Sequence, residues 1–148
     1  MPKDRRVAVS ALLAIAALIA AGCGGGPSKE DYVADFNEIC QESNEKIQKI
    51  KRPRTIRDIA PFMRESRGVL EGSIKEAEDL ELPDEDKKQF ESYIKANRES
   101  LKVLDDIEKA SAKNDTAGVR KLFAQTTVEN QKRDIQAKKL GLDRCGTG

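Results

Sequence analysis

Histidine is absent from all 148 residues of this chain, and that lack closes several routes to chemistry. Imidazole zinc sites, Ser-His and Cys-His nucleophile pairs, and the Glu-x-x-His pairs of di-iron or di-manganese four-helix bundles all require it. Tryptophan is also absent and aromatic residues make up only 4% of the chain, so bases would find few rings to stack on. Neither sign of charge dominates: 27 Lys and Arg face 26 Asp and Glu, which leaves no basic footprint for nucleic acid. No segment alternates apolar and polar residues strictly enough to read as a strand. Neither a Cys-x-x-Cys redox motif nor a glycine-rich phosphate loop occurs. The longest apolar run, Val7 to Ala21, is shorter than the roughly 20 residues that a spanning helix needs.

That run has a recognisable setting. Lys3, Arg5 and Arg6 form a basic head before it, and the small residues Ala20, Ala21 and Gly22 lead from it into Cys23. A basic head, a short apolar stretch and a small-residue cleavage site make a secretory signal peptide. Ala20-Ala21-Gly22-Cys23 resembles the lipobox of bacterial lipoproteins, with Ala20 at the position where leucine is commoner. The resemblance implies that Cys23 is the first mature residue and carries the lipid, a palmitate-type diacyl or triacyl modification. An ordinary signal peptide cleaved at the same place is the alternative. The chain has three cysteines, and an odd thiol in an exported chain needs an explanation; acylation of Cys23 leaves Cys40 and Cys145 as a pair. Arg5-Arg6 fits twin-arginine export or simple charge in the basic head, so either route is open.

These signals divide the chain into a signal peptide over residues 1–22, a lipidated cysteine with a Gly-rich tether over 23–27, and one folded domain over 28–148. Loss of the leader removes three basic residues and one acidic one, which turns the formal charge of +1 into −1. At roughly 3.5 Å per extended residue the tether reaches less than about 20 Å, so the domain is expected close to the membrane.

Four helices are expected in that domain. Ser28 opens the first, with Asp31 at capping-box spacing. Its apolar stripe is Val33, Phe36, Cys40, Ile47 and Ile50, flanked by Tyr32 and Ile39, with Ser43 filling the gap, and Arg52-Pro53 ends it. Thr55 and Asp58 cap a second helix with Ile56, Ile59, Met63, Leu70, Ile74 and Ala77 on one face, where Pro61 is expected to cause a kink or a restart. After Leu82-Pro83, the acidic run Asp84 to Asp86 stands at the start of a third helix, where the dipole favours it. The third stripe is Phe90, Tyr93, Ile94, Leu101, Leu104 and Ile107. Asn114-Asp115-Thr116 precedes a fourth helix with Val119, Leu122, Phe123, Ala137 and Leu140 inward. Leu140-Gly141-Leu142 reads as its end, with the glycine left-handed and the leucine folded back. Short turns between such helices predict an all-α, up-down-up-down four-helix bundle.

Oxidising surroundings favour a Cys40–Cys145 disulfide, since an antiparallel bundle returns the tail after Gly141 toward the first helix. Closing so long a loop contributes about 4 to 5 kcal/mol in the chain-entropy model. Ser43-Asn44-Glu45-Lys46 and Ser92-Tyr93-Ile94-Lys95 match S-x-x-K, but the S-D-N and K-T-G partners are missing. Asp105 and Asp106 are neighbours on a helix and point apart, so they do not converge on a substrate. Gly68 and Gly72 lie opposite Leu70 and read as solvent-facing.

Three features remain for function. Polar residues interrupt the stripes near mid-helix: Ser43, Asn44, Ser66, Asn97, Thr126, Asn130 and Arg133. Facing inward, they line either a small-ligand cavity or a register-fixing polar layer. Lys51, Arg52, Arg54 and Arg57 cluster at the membrane-distal turn, where they suit the end of a helix and can also meet an anionic wall polymer or an acidic protein. Val128 and Ile135 lie roughly opposite the fourth helix's inward face, which makes them a partner contact, or buried residues if that helix is rotated.

The Ala-Ala-Gly-Cys-Gly-Gly-Gly start, Asp35-Phe36-Asn37-Glu38-Ile39-Cys40, the Leu82-Pro83 turn and the ending from Leu140-Gly141-Leu142 to Cys145-Gly146 together resemble small all-helical lipoproteins of uncharacterised function from high-GC Gram-positive bacteria. The resemblance supplies no activity. The expectation is a lipid-anchored protein on the outer face of the cell membrane, without catalysis, metal or cofactor. It acts through contacts with an envelope protein or wall polymer and not with nucleic acid. The alternative is a lipid-anchored binder of a small or apolar ligand inside the bundle.

Overall fold

A computed structural model describes residues 26–146, and the leader and Cys23 lie outside the described residues. Four helices follow one another: α1 (Lys29–Lys49), α2 (Ile56–Asp79), α3 (Lys87–Ala112) and α4 (Thr116–Leu140). No strand occurs among the described residues.

Local chemistry sets the helix ends. The Ser28 hydroxyl oxygen accepts from the Asp31 N–H at 3.1 Å and caps α1. The Asp58 carboxylate accepts from the N–H of Thr55 at 2.9 Å, the N–H of Arg54 at 3.1 Å and the Thr55 hydroxyl at 2.9 Å. Asp115 caps α4 by accepting from the Gly118 N–H at 2.9 Å. At the far end of α4, the Leu142 N–H reaches the Ala137 carbonyl at 2.9 Å and the Gly141 N–H reaches Lys138 at 3.2 Å. Gly141 has φ +79°, and this left-handed residue closes a Schellman motif in which Leu142 is fully buried. The acidic run before α3 acts differently from a cap. Asp86 adopts φ 59° and makes no side-chain capping bond; its carboxylate instead holds Lys29 of α1 at 2.7 Å. Pro61 lies inside an α2 that runs continuously from Ile56. Its missing N–H leaves the carbonyl of exposed Arg57, four residues earlier, without an intrahelical donor.

The helices alternate in direction. Tyr32 and Phe90, near the starts of α1 and α3, meet edge to face with centroids 4.7 Å apart. The start of α2 meets the end of α3 through Arg64 and Glu108 at 2.8 Å, and Gln136 near the end of α4 donates to the Gln89 carbonyl near the start of α3 at 3.3 Å. This is the expected up-down-up-down bundle. Its interfaces are unequal: α2 against α3 is the most extensive, α3 against α4 follows, and α1 against α2 is the smallest of the three.

The main core sits at the end where α1 begins. Tyr32, Phe36, Ile74, Ala77, Phe90, Tyr93, Ile94, Ala137, Leu140 and Leu142 form it. Ala60, Met63, Ile107 and Val119, from α2, α3 and α4, are buried toward the other end. Two helices are rotated from their expected faces. In α1, Tyr32 is buried while Val33 is only partly so, because the Tyr32 ring has two aromatic partners, Phe36 and Phe90. In α4, Phe123 is 39% exposed, contrary to its expected inward place. The inward line there runs Val119, Leu122, Thr126, Asn130, Arg133, Ala137 and Leu140, at steps of three or four, and Phe123 falls off its edge.

Candidate functional site

The middle of the bundle holds a cavity of about 540 Å³ lined by all four helices and the C-terminal tail. This lies within the size range of small-molecule sites, about 300 to 1,000 Å³. Phe36, Ile39, Ile47, Leu70, Ile74, Ile94 and Leu104 supply an apolar wall from α1, α2 and α3. Thr126, Asn130, Arg133 and Asp134 supply a polar wall from α4, continued by Asn97 and Ser100 of α3. The lining residues Gln48 and Arg52 are exposed, which places the opening toward the end of α1.

Six of the seven mid-helix polar residues singled out by sequence therefore meet here: Ser43, Asn44, Asn97, Thr126, Asn130 and Arg133. Ser66 does not. It is buried on α2 away from the cavity, and its hydroxyl has no hydrogen-bond partner among the described residues. Ser73 and Ser100 also line the space and were missed by the sequence reading. Their signal was adjacency: each stands beside a stripe residue, Ile74 and Leu101, on an inward-facing turn.

Most polar groups of the lining are held by their own helix. Ser73 donates to the Val69 carbonyl, Asn97 to the Tyr93 carbonyl, and Thr126 to the Leu122 carbonyl, at 2.8 to 3.0 Å. Ser43 is not: it is 4% exposed and its hydroxyl has no partner among the described residues. Leaving such a group unsatisfied costs about 1 to 3 kcal/mol, so Ser43 is a strained polar point of α1 behind the cavity wall.

Arg133 faces the same space. Its guanidinium donates to the Asn130 side-chain oxygen and makes no salt bridge among the described residues. A guanidinium has five N–H donors in a planar fork, so several remain for the cavity. Burial lowers its pKa, opposed by Tyr93, Asp134 and Glu129 nearby, and it stays cationic at neutral pH. Burial also raises the Tyr93 hydroxyl's pKa, with Asn97 and Arg133 pulling the other way.

Cys40 and Cys145 are joined as expected, with Cα atoms 5.0 Å apart across 105 residues of sequence. The disulfide, with Gly146, forms part of the cavity wall. Two asparagines of α1 hold the tail against it. Asn37 donates to the Gly141 carbonyl at 3.0 Å and accepts from the Arg144 N–H at 2.8 Å, while Asn44 donates to the Arg144 carbonyl at 2.9 Å. Asn37 had no assigned role in the sequence reading because its partners lie more than a hundred residues away.

The other candidates disperse. Lys46 is exposed and bound to Glu42 at 3.1 Å, well separated in environment from buried Ser43, and Ser92 and Lys95 are both exposed. Asp105 pairs with Lys109, and no group of His, Cys, Asp or Glu suited to a metal occurs among the described residues. Lys51, Arg52, Arg54 and Arg57 are exposed, and Arg52 lies 5.9 Å from the Phe62 ring centroid. Val128 and Ile135 are 51% and 57% exposed. Gly68 and Gly72 face solvent as expected, with nothing within 4 Å of an added Cβ. No helix among the described residues is long and apolar enough to cross a membrane.

Comparison with family models, curated proteins and solved structures returns no match to this chain.

Proposed function

We propose that this chain is a non-enzymatic lipoprotein, anchored through acylated Cys23 on the outer face of the cell membrane, that holds a small amphipathic molecule inside its helical bundle. The observation that carries the binding role is the cavity lined by all four helices, apolar on one side and polar on the other. A water occupies about 30 Å³ of liquid volume, so 540 Å³ is far more room than hydrating one hydroxyl requires. Apolar residues on one side and fixed polar groups on the other suit a ligand with both characters.

The missing tryptophan makes the test direct. Ile47→Trp places a single fluorophore on the cavity wall, and titration with a short-chain amphiphile should shift its emission saturably. Adding Ser43→Leu, which fills the space, should abolish the shift while the far-ultraviolet circular dichroism stays unchanged. An unresponsive tryptophan in a folded protein overturns the binding role. The anchor is tested separately: Cys23→Ser should release the protein from membranes or stall its processing. A membrane-bound, normally processed variant overturns acylation.

A second reading rests on Val128 and Ile135, about one helical face apart from the cavity wall and both more than half exposed. Here the protein also contacts an envelope protein through α4, with the basic turn at Lys51 to Arg57 available to an anionic wall polymer. Val128→Lys should weaken association in crosslinked cells without lowering thermal stability; unchanged association rules this face out.

A further inference from the structure

We infer that the ligand of this cavity is an anionic amphiphile, a single acyl chain with a carboxylate or phosphate head, whose head is recognised by Arg133. The inference rests on the binding role proposed above and adds the charge of the ligand and the residue that reads it.

Three observations converge. Arg133 is the partly buried cation of the lining, whereas Arg52, the other one, stands exposed at the opening. Its side chain is braced by Asn130 on the preceding turn, which fixes the plane of the fork and leaves N–H groups to bind two oxygens of one head group side by side. Polar residues of α1 and α3, Ser43 and Asn97, line the same space. A cation so placed, with no carboxylate in ion-pair contact among the described residues, is what an incoming anion would complete. Asp134 also lines the cavity and lies within electrostatic reach of Arg133, as do Glu129 and Tyr93. Asp134 disfavours a head with several negative charges, so a carboxylate or a phosphodiester, each with a single charge, fits best.

The apolar wall sets the rest of the molecule. Phe36, Ile39, Ile74 and Ile94 line it at the level of the disulfide, and Ile47, Leu70 and Leu104 continue it toward the opening. Along α1 the lining runs from Phe36 to Gln48, about 18 Å at 1.5 Å per residue. That is a slot for a chain and not for a compact polar solute. Each buried methylene contributes about 0.8 kcal/mol, so the chain supplies affinity and the head supplies selection.

The test uses the full chain carrying Cys23→Ser, so that no attached acyl group competes, and measures binding by calorimetry below the micellar concentration of each probe. Dodecanoate should bind with one-to-one stoichiometry at least tenfold more tightly than dodecanol. Arg133→Gln should erase that preference while leaving dodecanol binding intact, and Arg133→Lys should retain most of it. The intact dodecanol affinity shows that the variant is folded. Inorganic phosphate at equal concentration should not displace dodecanoate. Equal binding of dodecanoate and dodecanol, or a preference that survives Arg133→Gln, overturns the charge inference and leaves the cavity reading standing. Displacement by inorganic phosphate overturns the amphiphile. Binding of neither chain probe overturns the cavity reading and this inference with it.

Discussion

Gly141 shows how much one backbone angle can decide. At φ +79° it ends α4, turns the chain, and lets Leu142 fold into the core. An added Cβ would meet Val33 Cγ1 at 3.4 Å, an ordinary contact, so the penalty for alanine is purely conformational. Gly141→Ala should therefore cost about 1 to 2 kcal/mol, read as a lower urea midpoint with unchanged slope. Asp58 makes a different kind of prediction. The Thr55 hydroxyl, then the N–H groups of Arg54 and Thr55, hold its carboxyl below the usual range. A depressed folded pKa means that the contribution is present above the unfolded value of about 3.9 and is lost as pH falls through the lower, folded one. The stability gap between the native chain and Asp58→Asn should thus be constant near neutrality and shrink below about pH 4, measured by urea midpoints across that range. Both features were legible because their partners lie within a few residues. Asn37 was not, since its bonds to Gly141 and Arg144 exist only after the chain has folded.

At the scale of elements, legibility follows how one-sided a helix is. The apolar residues of α2 and α3 crowd one face, and the buried positions fall on the expected stripes except that Ala60, Ser66 and Ser111 join them. In α4 the apolar residues are spread around the axis, with Val128 and Ile135 away from the core and Phe123 at its edge. Its inward line is carried instead by Thr126, Asn130 and Arg133, so hydrophobicity alone pointed to Phe123 wrongly. The α1 error has another cause. Val33 and Tyr32 are adjacent, and only the rings of Phe36 and Phe90 select Tyr32 as the buried one. The two glycines of α2 offer a test at this scale. Gly68 and Gly72 meet nothing that a methyl would displace, so each serves only to loosen the helix. Gly68→Ala and Gly72→Ala should each raise stability by about 0.5 to 1 kcal/mol, additively within error, since the two contact nothing in common. A loss on either substitution would reveal a contact on that face that the bundle itself does not make.

For the whole molecule, the bundle and the disulfide could be read from periodicity, the expectation of export and cysteine parity, whereas the sequence left the cavity and a plain polar layer as alternatives. Its polar residues were visible as interruptions, but whether four interrupted stripes close into a polar layer or stand apart depends on helix spacing, which no stripe encodes. Here α1 has the smallest of the neighbouring-helix interfaces, and the tail bridges to it through Cys145, Asn37 and Asn44. The disulfide therefore joins the tail to α1 at the wall of the site as well as constraining the unfolded chain. Its closed loop spans 105 residues, for which the chain-entropy model gives about 4 to 5 kcal/mol as an upper guide. Cys40→Ala with Cys145→Ala should lower stability by up to that amount. It should also free the Arg144–Cys145 segment from Tyr93, whose hydroxyl donates to the Cys145 carbonyl at 3.4 Å. If the tail is a wall, amphiphile affinity must fall with it. Reduction of the Ile47→Trp protein in dilute urea, monitored by emission and circular dichroism together, separates the two roles. Affinity lost while the helices remain intact places the tail in the site. Affinity that declines only as the helices melt assigns the disulfide to stability alone.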